Sequence, residues 1–101
     1  MRNELGIICS SRSLREFLDD TRGFVGGDKW EFYLNVSGTL MVEGCFREFM
    51  CETKGNTRRI KVKKDSVWRL LRLLDTLSDQ PITFYFTDYF DGCIFLKEAI
   101  L

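Results

Sequence analysis

Between Thr57 and Leu74 the chain reads TRRIKVKKDSVWRLLRLL, seven positive side chains around the single carboxylate of Asp65. The whole protein has a formal net charge of zero, so this run is where contact with a polyanion would first be sought. Lys54 to Arg72 holds eight basic residues and one acid, or +7, which leaves seven basic and fourteen acidic residues, or −7, for the rest. Tyr33, Met50 and Tyr85 could interleave with Lys61 and Lys63 on one sheet face, the arrangement that stacks and neutralises a single-stranded nucleic acid.

Catalytic chemistry finds little to work with. There is no His, which removes the usual acid–base group and the usual activator of a Ser or Cys nucleophile. Ser10 and Ser11 read as the start of a helix. Asp19 and Asp20 are adjacent, so on a helix they diverge by about 100° and cannot face one another. Asp88 and Asp91 flank a turn, where Asp is a common structural choice. Gly23, Gly26 and Gly27 lack the spacing of a phosphate-binding loop. The four cysteines, Cys9, Cys45, Cys51 and Cys93, show no C-x-x-C pair and sit in apolar stretches, which predicts buried free thiols and no zinc. No enzyme activity, metal or cofactor is expected.

Aromatic residues in polar settings are the remaining signals. Trp68 falls on the polar side of an amphipathic helix, where it either folds over Arg72 one turn later or is covered by another segment and belongs to the core, the preferred reading. Tyr89 and Phe90 adjoin a turn, where two aromatics seldom both find burial.

The elements that must position these residues follow from period and punctuation. LGIIC (5–9) reads as a strand. Ser13 with Glu16 reads as a capping box, Leu14, Phe17 and Leu18 as one helix face, and Gly23 as the helix end. Trp30, Phe32, Leu34 and Val36 alternate with polar positions as a half-buried strand. Ser37-Gly38 turns the chain into TLMVEGCFREFMCET, a long strand with a bulge or bend near Arg47. Gly55-Asn56 reads as a two-residue hairpin turn. It would set Cys51 against Ile60 and Phe49 against Val62 on the buried face, and Glu52 against Arg59 and Glu48 against Lys63 outside. Asp65 or Ser66 then caps a helix ending near Ser78, with Val67, Leu70, Leu71, Leu74 and Leu77 as its apolar stripe. PITFYFTDYF and CIFLKEAIL flank the Asp91-Gly92 turn as a second hairpin.

One domain over residues 1–101 is expected, of α+β class. It would be an antiparallel sheet of about five to six strands packed against two helices in the order β-α-β-β-β-α-β-β. The N-terminal segment is too short in apolar residues for a signal peptide or membrane span, which predicts a cytoplasmic protein without membrane contact. Residues 30–75, a curved run of strands and then a strand feeding a helix with an early Trp, resemble the single-stranded-DNA-binding transcriptional coactivators. That resemblance implies a nucleic-acid-binding sheet face. The helix before residue 30 and the hairpin after residue 81 depart from their pattern. In size and composition the chain is also similar to antitoxin, immunity and phage-encoded inhibitor proteins, which implies steric and electrostatic occlusion of a partner.

The first expectation is a protein-binding module of inhibitor or adaptor type, presenting Trp68, Arg69, Arg72, Arg58, Lys64, Tyr89 and Phe90. The alternative is a nucleic-acid site built from Lys61, Lys63, Tyr33 and Tyr85. A homodimer through the exposed edge of the CIFLKEAIL strand is a third.

Overall fold

The computed structural model describes residues 2–96 and 99–101. In chain order the elements are β1 (Glu4–Ser10), α1 (Ser11–Thr21), a 3-10 turn (Arg22–Phe24), β2 (Lys29–Leu34), β3 (Leu40–Val42), β4 (Glu52–Gly55), β5 (Arg59–Lys63), α2 (Lys64–Thr76), β6 (Pro81–Thr87), a second 3-10 turn (Tyr89–Asp91), β7 (Cys93–Leu96) and the two-residue β8 (Ala99–Ile100). The expected α+β class holds: two helices and antiparallel strands throughout. The strands divide into two sheets, ordered β4-β1-β6-β7-β8 and β3-β2-β5.

Alternation dictates what each sheet buries. In the larger sheet Leu5, Ile7, Phe84, Phe86 and Ile94 point inward, and in the smaller one Trp30, Phe32, Ile60 and Val62 do. The inner faces meet through Phe32 and Phe86, whose rings stack at 4.1 Å between centroids. The apolar stripes of α1 and α2 complete the same core with Leu14, Phe17, Leu18, Val67, Leu70 and Leu74.

The Gly55-Asn56 hairpin does not exist. β4 pairs with β1, Leu5 opposite Gly55 and Ile8 opposite Glu52, whereas β5 pairs with β2, Trp30 opposite Val62 and Phe32 opposite Ile60. Ile60 and Val62 face inward as expected, with β2 as their neighbour. The expected Glu52–Arg59 and Glu48–Lys63 pairs fall with the hairpin: Arg59 bonds Glu31 and Glu43, and Glu48 accepts from the Asn35 amide. Gly55 serves a different purpose at φ 115°. A Cβ there would stand 2.3 Å from the Glu4 carbonyl oxygen, so only Gly lets β4 approach β1 so closely.

The long strand expected over 39–53 is broken for a related reason. β3 stops at Val42, and Gly44, at φ 86°, turns the chain near Glu43 and Gly44 rather than at Arg47. Residues 43–51 then cross from the smaller sheet to the larger. The crossover is held by Leu40 and Phe49, which exchange backbone hydrogen bonds of 2.9 Å in both directions, by Phe17 stacked on Phe49 at 4.9 Å and by an Arg47–Asp20 ion pair. Val36, expected inside, is exposed beyond the end of β2, because the Asn35 carboxamide oxygen accepts from Ser37 N and Thr39 N, both at 3.0 Å, and bends the chain first.

Helix termini also differ. Ser10, not Ser13, caps α1, its hydroxyl oxygen accepting from Ser13 N at 3.3 Å, and Gly23 lies within the 3-10 turn that continues the helix. Asp79 adds a second cap from across the fold, accepting from the Ser10 hydroxyl at 2.5 Å and Arg12 N at 3.3 Å. Neither Asp65 nor Ser66 caps α2. That helix begins at Lys64, whose N donates to Asp28 O at 2.9 Å.

The Ser10 hydroxyl, ahead of Arg12, holds the Asp79 carboxyl below its usual 3.8. A carboxyl so depressed contributes stability above its unfolded value, and that stability is lost as pH falls through the folded one. Urea midpoints measured between pH 6 and pH 3 are therefore expected to fall below about pH 4 less steeply in Asp79→Asn than in the wild type. Parallel curves would show that the bond does not form.

Candidate functional site

The outer face of the larger sheet carries one row of contacts: Lys54 opposite Gly6, Gly6 opposite Tyr85 and Tyr85 opposite Phe95. Gly6 is the device that makes this row flat. A Cβ on it would lie 2.7 Å from Tyr85 Cε1, so its absence lets the phenol lie across β1. The Lys54 ammonium caps that ring at 5.5 Å from its centroid, and its pKa is raised chiefly by a hydrogen bond with Tyr85. Tyr89 meets Phe95 edge-on at 5.5 Å and takes the Arg2 guanidinium over its own ring at 4.8 Å. The result is an open groove of about 470 Å³ lined by Glu4, Tyr85, Thr87, Tyr89, Phe90 and Phe95.

The β6–β7 turn shapes one wall of the groove. Thr87 anchors it, its hydroxyl donating to Cys93 O at 3.0 Å and accepting from Tyr89 N at 3.3 Å. Gly92 N closes the turn onto Tyr89 O at 3.0 Å. To fit five residues into this reversal, Phe90 and Asp91 both take the left-handed region, at φ 53° and 63°. Phe90 thereby projects into solvent while Asp91 turns the other way to Lys29, 2.7 Å distant. That ammonium holds the Asp91 carboxyl below its usual range.

Beyond Asp91 lies a second concavity of about 310 Å³, lined by Asp28, Lys29, Lys63, Lys64, Asp65, Trp68 and Asp91. Three lysines and three aspartates alternate there, so it presents no single sign of charge. Trp68 at its back is half-buried. Its ring meets Trp30 edge-on at 6.1 Å and carries a cation on the outside, but that cation is Arg22, at 5.0 Å, and not Arg72.

The sequence-predicted residues separate accordingly. Tyr89, Phe90, Trp68 and Lys64 border the two concavities on either side of the β6–β7 turn. Arg69 and Arg72 lie on the exposed side of α2. Arg58 is at the far end of β5, donating to Asn35 O at 2.7 Å, about 20 Å of extended chain away from Lys64. Lys61 and Lys63 share the outer face of the smaller sheet with Lys29, Glu31 and Tyr33. Tyr85 belongs to the outer face of the other sheet, because Phe86 beside it and Phe32 beside Tyr33 are the pair that stacks in the core. The four residues of the nucleic-acid alternative are thus not brought together, and Met50 lies outside the strands on the crossover. The lysines do share their surface with glutamates, as expected, though these are Glu31 and Glu43, held by Arg59.

CIFLKEAIL is not one strand with a free edge. β7 pairs with β8, Phe95 opposite Ile100 and Leu96 opposite Ala99, leaving a two-residue edge. Phe95 and Gly6 belong to the outer-face row without being among the sequence-predicted residues. An isolated Gly inside LGIIC was the available signal, since Gly within a strand marks close approach by another group. Among the described residues no group of three His, Cys, Asp or Glu side chains could hold a metal ion, and no helix is long and apolar enough to cross a membrane. Comparison with protein-family models, with curated proteins and with solved structures finds no match to the chain.

Proposed function

We propose that the chain is a small non-catalytic module of inhibitor or adaptor type, which occludes a partner protein by binding it through the aromatic outer face of the larger sheet and the β6–β7 turn. The observation that carries this reading is Phe90. It is 64% exposed and sits at φ 53°, ψ 40°, a conformation that is an outlier for a bulky residue and costs on the order of 1–3 kcal/mol. Exposure and strain both work against folding, so this aromatic gains only when a partner covers it. Tyr85, Tyr89 and Phe95 extend the apolar ground, and rigid rings lose little entropy on contact. Lys64 and Trp68 across the turn, with Arg69 and Arg72 farther along α2, form a polar rim that tunes association rate and specificity.

Affinity capture from the cells that express the protein, followed by direct titration of the purified captured protein, tests this. Phe90→Ala combined with Phe95→Ala is expected to weaken binding at least ~30-fold, as loss of an interface hot spot does. Arg58→Ala should leave it within about twofold. Full affinity in the double variant would discard the groove. Anisotropy with a labelled single-stranded oligonucleotide is expected to show no binding at ~50 mM salt. Binding that is present there and lost at ~200 mM would move the function to Lys61, Lys63 and Tyr33.

A further inference from the structure

The β1–β4 ladder brings two cysteines face to face. Its register runs Leu5 to Gly55, Gly6 to Lys54, Ile7 to Thr53 and Ile8 to Glu52; continued one residue past the start of β4 it places Cys51 opposite Cys9, and the two thiols are close enough for Cys51 to act on the charge of Cys9. The kind of rung follows from the hydrogen bonds. Asn56 N donates to Glu4 O at 3.0 Å, which makes Glu4–Asn56 a hydrogen-bonded pair. Alternation along an antiparallel ladder then makes Leu5–Gly55, Ile7–Thr53 and Cys9–Cys51 the non-hydrogen-bonded ones. At such rungs the Cα atoms stand about 4.5 Å apart with side chains at their closest, inside the roughly 4.4–6.8 Å span of a disulfide. Both thiols are free and half-buried, and both pack against the same core cluster.

We propose that Cys9 and Cys51 are a site of reversible disulfide formation, which clasps the edge strand β4 to β1 when a small-molecule disulfide of the glutathione class supplies the oxidant. The inference is independent of the binding function above. One protein thiolate attacks a sulfur of the oxidant, forming a mixed disulfide and expelling one thiolate. The second protein thiolate attacks the mixed disulfide and expels the other. Two protein thiols lose two electrons, the oxidant gains them, and the two protons end on the two released thiols.

Burial pushes Cys9 up to about 12, with the neighbouring Cys51 adding to it, and Cys51 up to about 11. Because the thiolate is the attacking form, the rate of exchange rises with pH. The new bond closes the loop from Cys9 to Cys51 and pins the 43–51 crossover, which restricts the unfolded chain.

The test is incubation of the native wild-type chain with oxidised and reduced glutathione at pH 8.5, followed by intact mass, peptide mapping and thermal melting. The expected result is a loss of two hydrogens, one cross-link between the peptides holding Cys9 and Cys51, and a Tm raised on the order of 10 °C. Cys51→Ser should abolish the cross-link, and Cys45→Ser should keep it. Stable glutathione adducts without a cross-link, a bond to Cys45 or Cys93, cross-linking only in denaturant, or a lowered Tm would each overturn the proposal. Because the mapping is done on wild-type protein, it does not depend on any variant folding.

Discussion

Phe32→Ala is expected to remove about 3–5 kcal/mol of folding stability, a large part of what a domain of this size possesses. Phe32 is fully buried, lies on Phe86 at 4.1 Å and reaches Trp30 at 5.8 Å. It is therefore a central side chain where the smaller sheet rests on the larger, beside the Lys63 N to Gly92 O bond of 3.0 Å that also joins them, and truncation leaves a cavity at the join. Urea denaturation with an unchanged m-value would report the loss, while Phe32→Leu, which keeps most of the volume, should cost about 1–2 kcal/mol. A loss below about 2 kcal/mol for the Ala variant would mean that the sheets do not depend on this stack.

The second large effect is expected at Gly55. Gly55→Ala should cost about 2–4 kcal/mol, because φ 115° is unfavourable to any side chain and the added Cβ meets the Glu4 carbonyl. Gly38 is the internal control. It has φ +83° with open space around it, so Gly38→Ala should cost only about 1 kcal/mol. Equal costs would place Gly55 at a free turn and restore the hairpin that its sequence suggests.

At Gly55 the sequence stops revealing the fold. The apolar stripe of α2 was legible because helical neighbours are three and four residues apart, so Val67, Leu70, Leu71 and Leu74 reveal their shared face without reference to anything else. The β6–β7 hairpin was legible for the same local reason, although β6 stops at Thr87 and the reversal takes residues 88–92 rather than Asp91-Gly92 alone. Gly55-Asn56 misled because a glycine that turns the chain and a glycine that admits a neighbouring backbone look identical in one dimension. The strand beside β5 is β2, whose Trp30 and Phe32 stand opposite Val62 and Ile60 and are fully buried, and nothing near residue 55 encodes that. The aromatic row was invisible for the same reason: Gly6, Tyr85 and Phe95 become neighbours only through the order β1-β6-β7.

The position of β1 also governs how the molecule can be made. Residues 4–10 are flanked in the sheet by β4 on one side and by residues 81–87 on the other, so β1 is an inner strand whose principal partner is translated long after it. Until Thr87 has emerged, Leu5 and Ile7 have no Phe86 or Phe84 to cover them. β1 therefore cannot complete its pairing as it is made, and its apolar side chains stay uncovered until β6 follows.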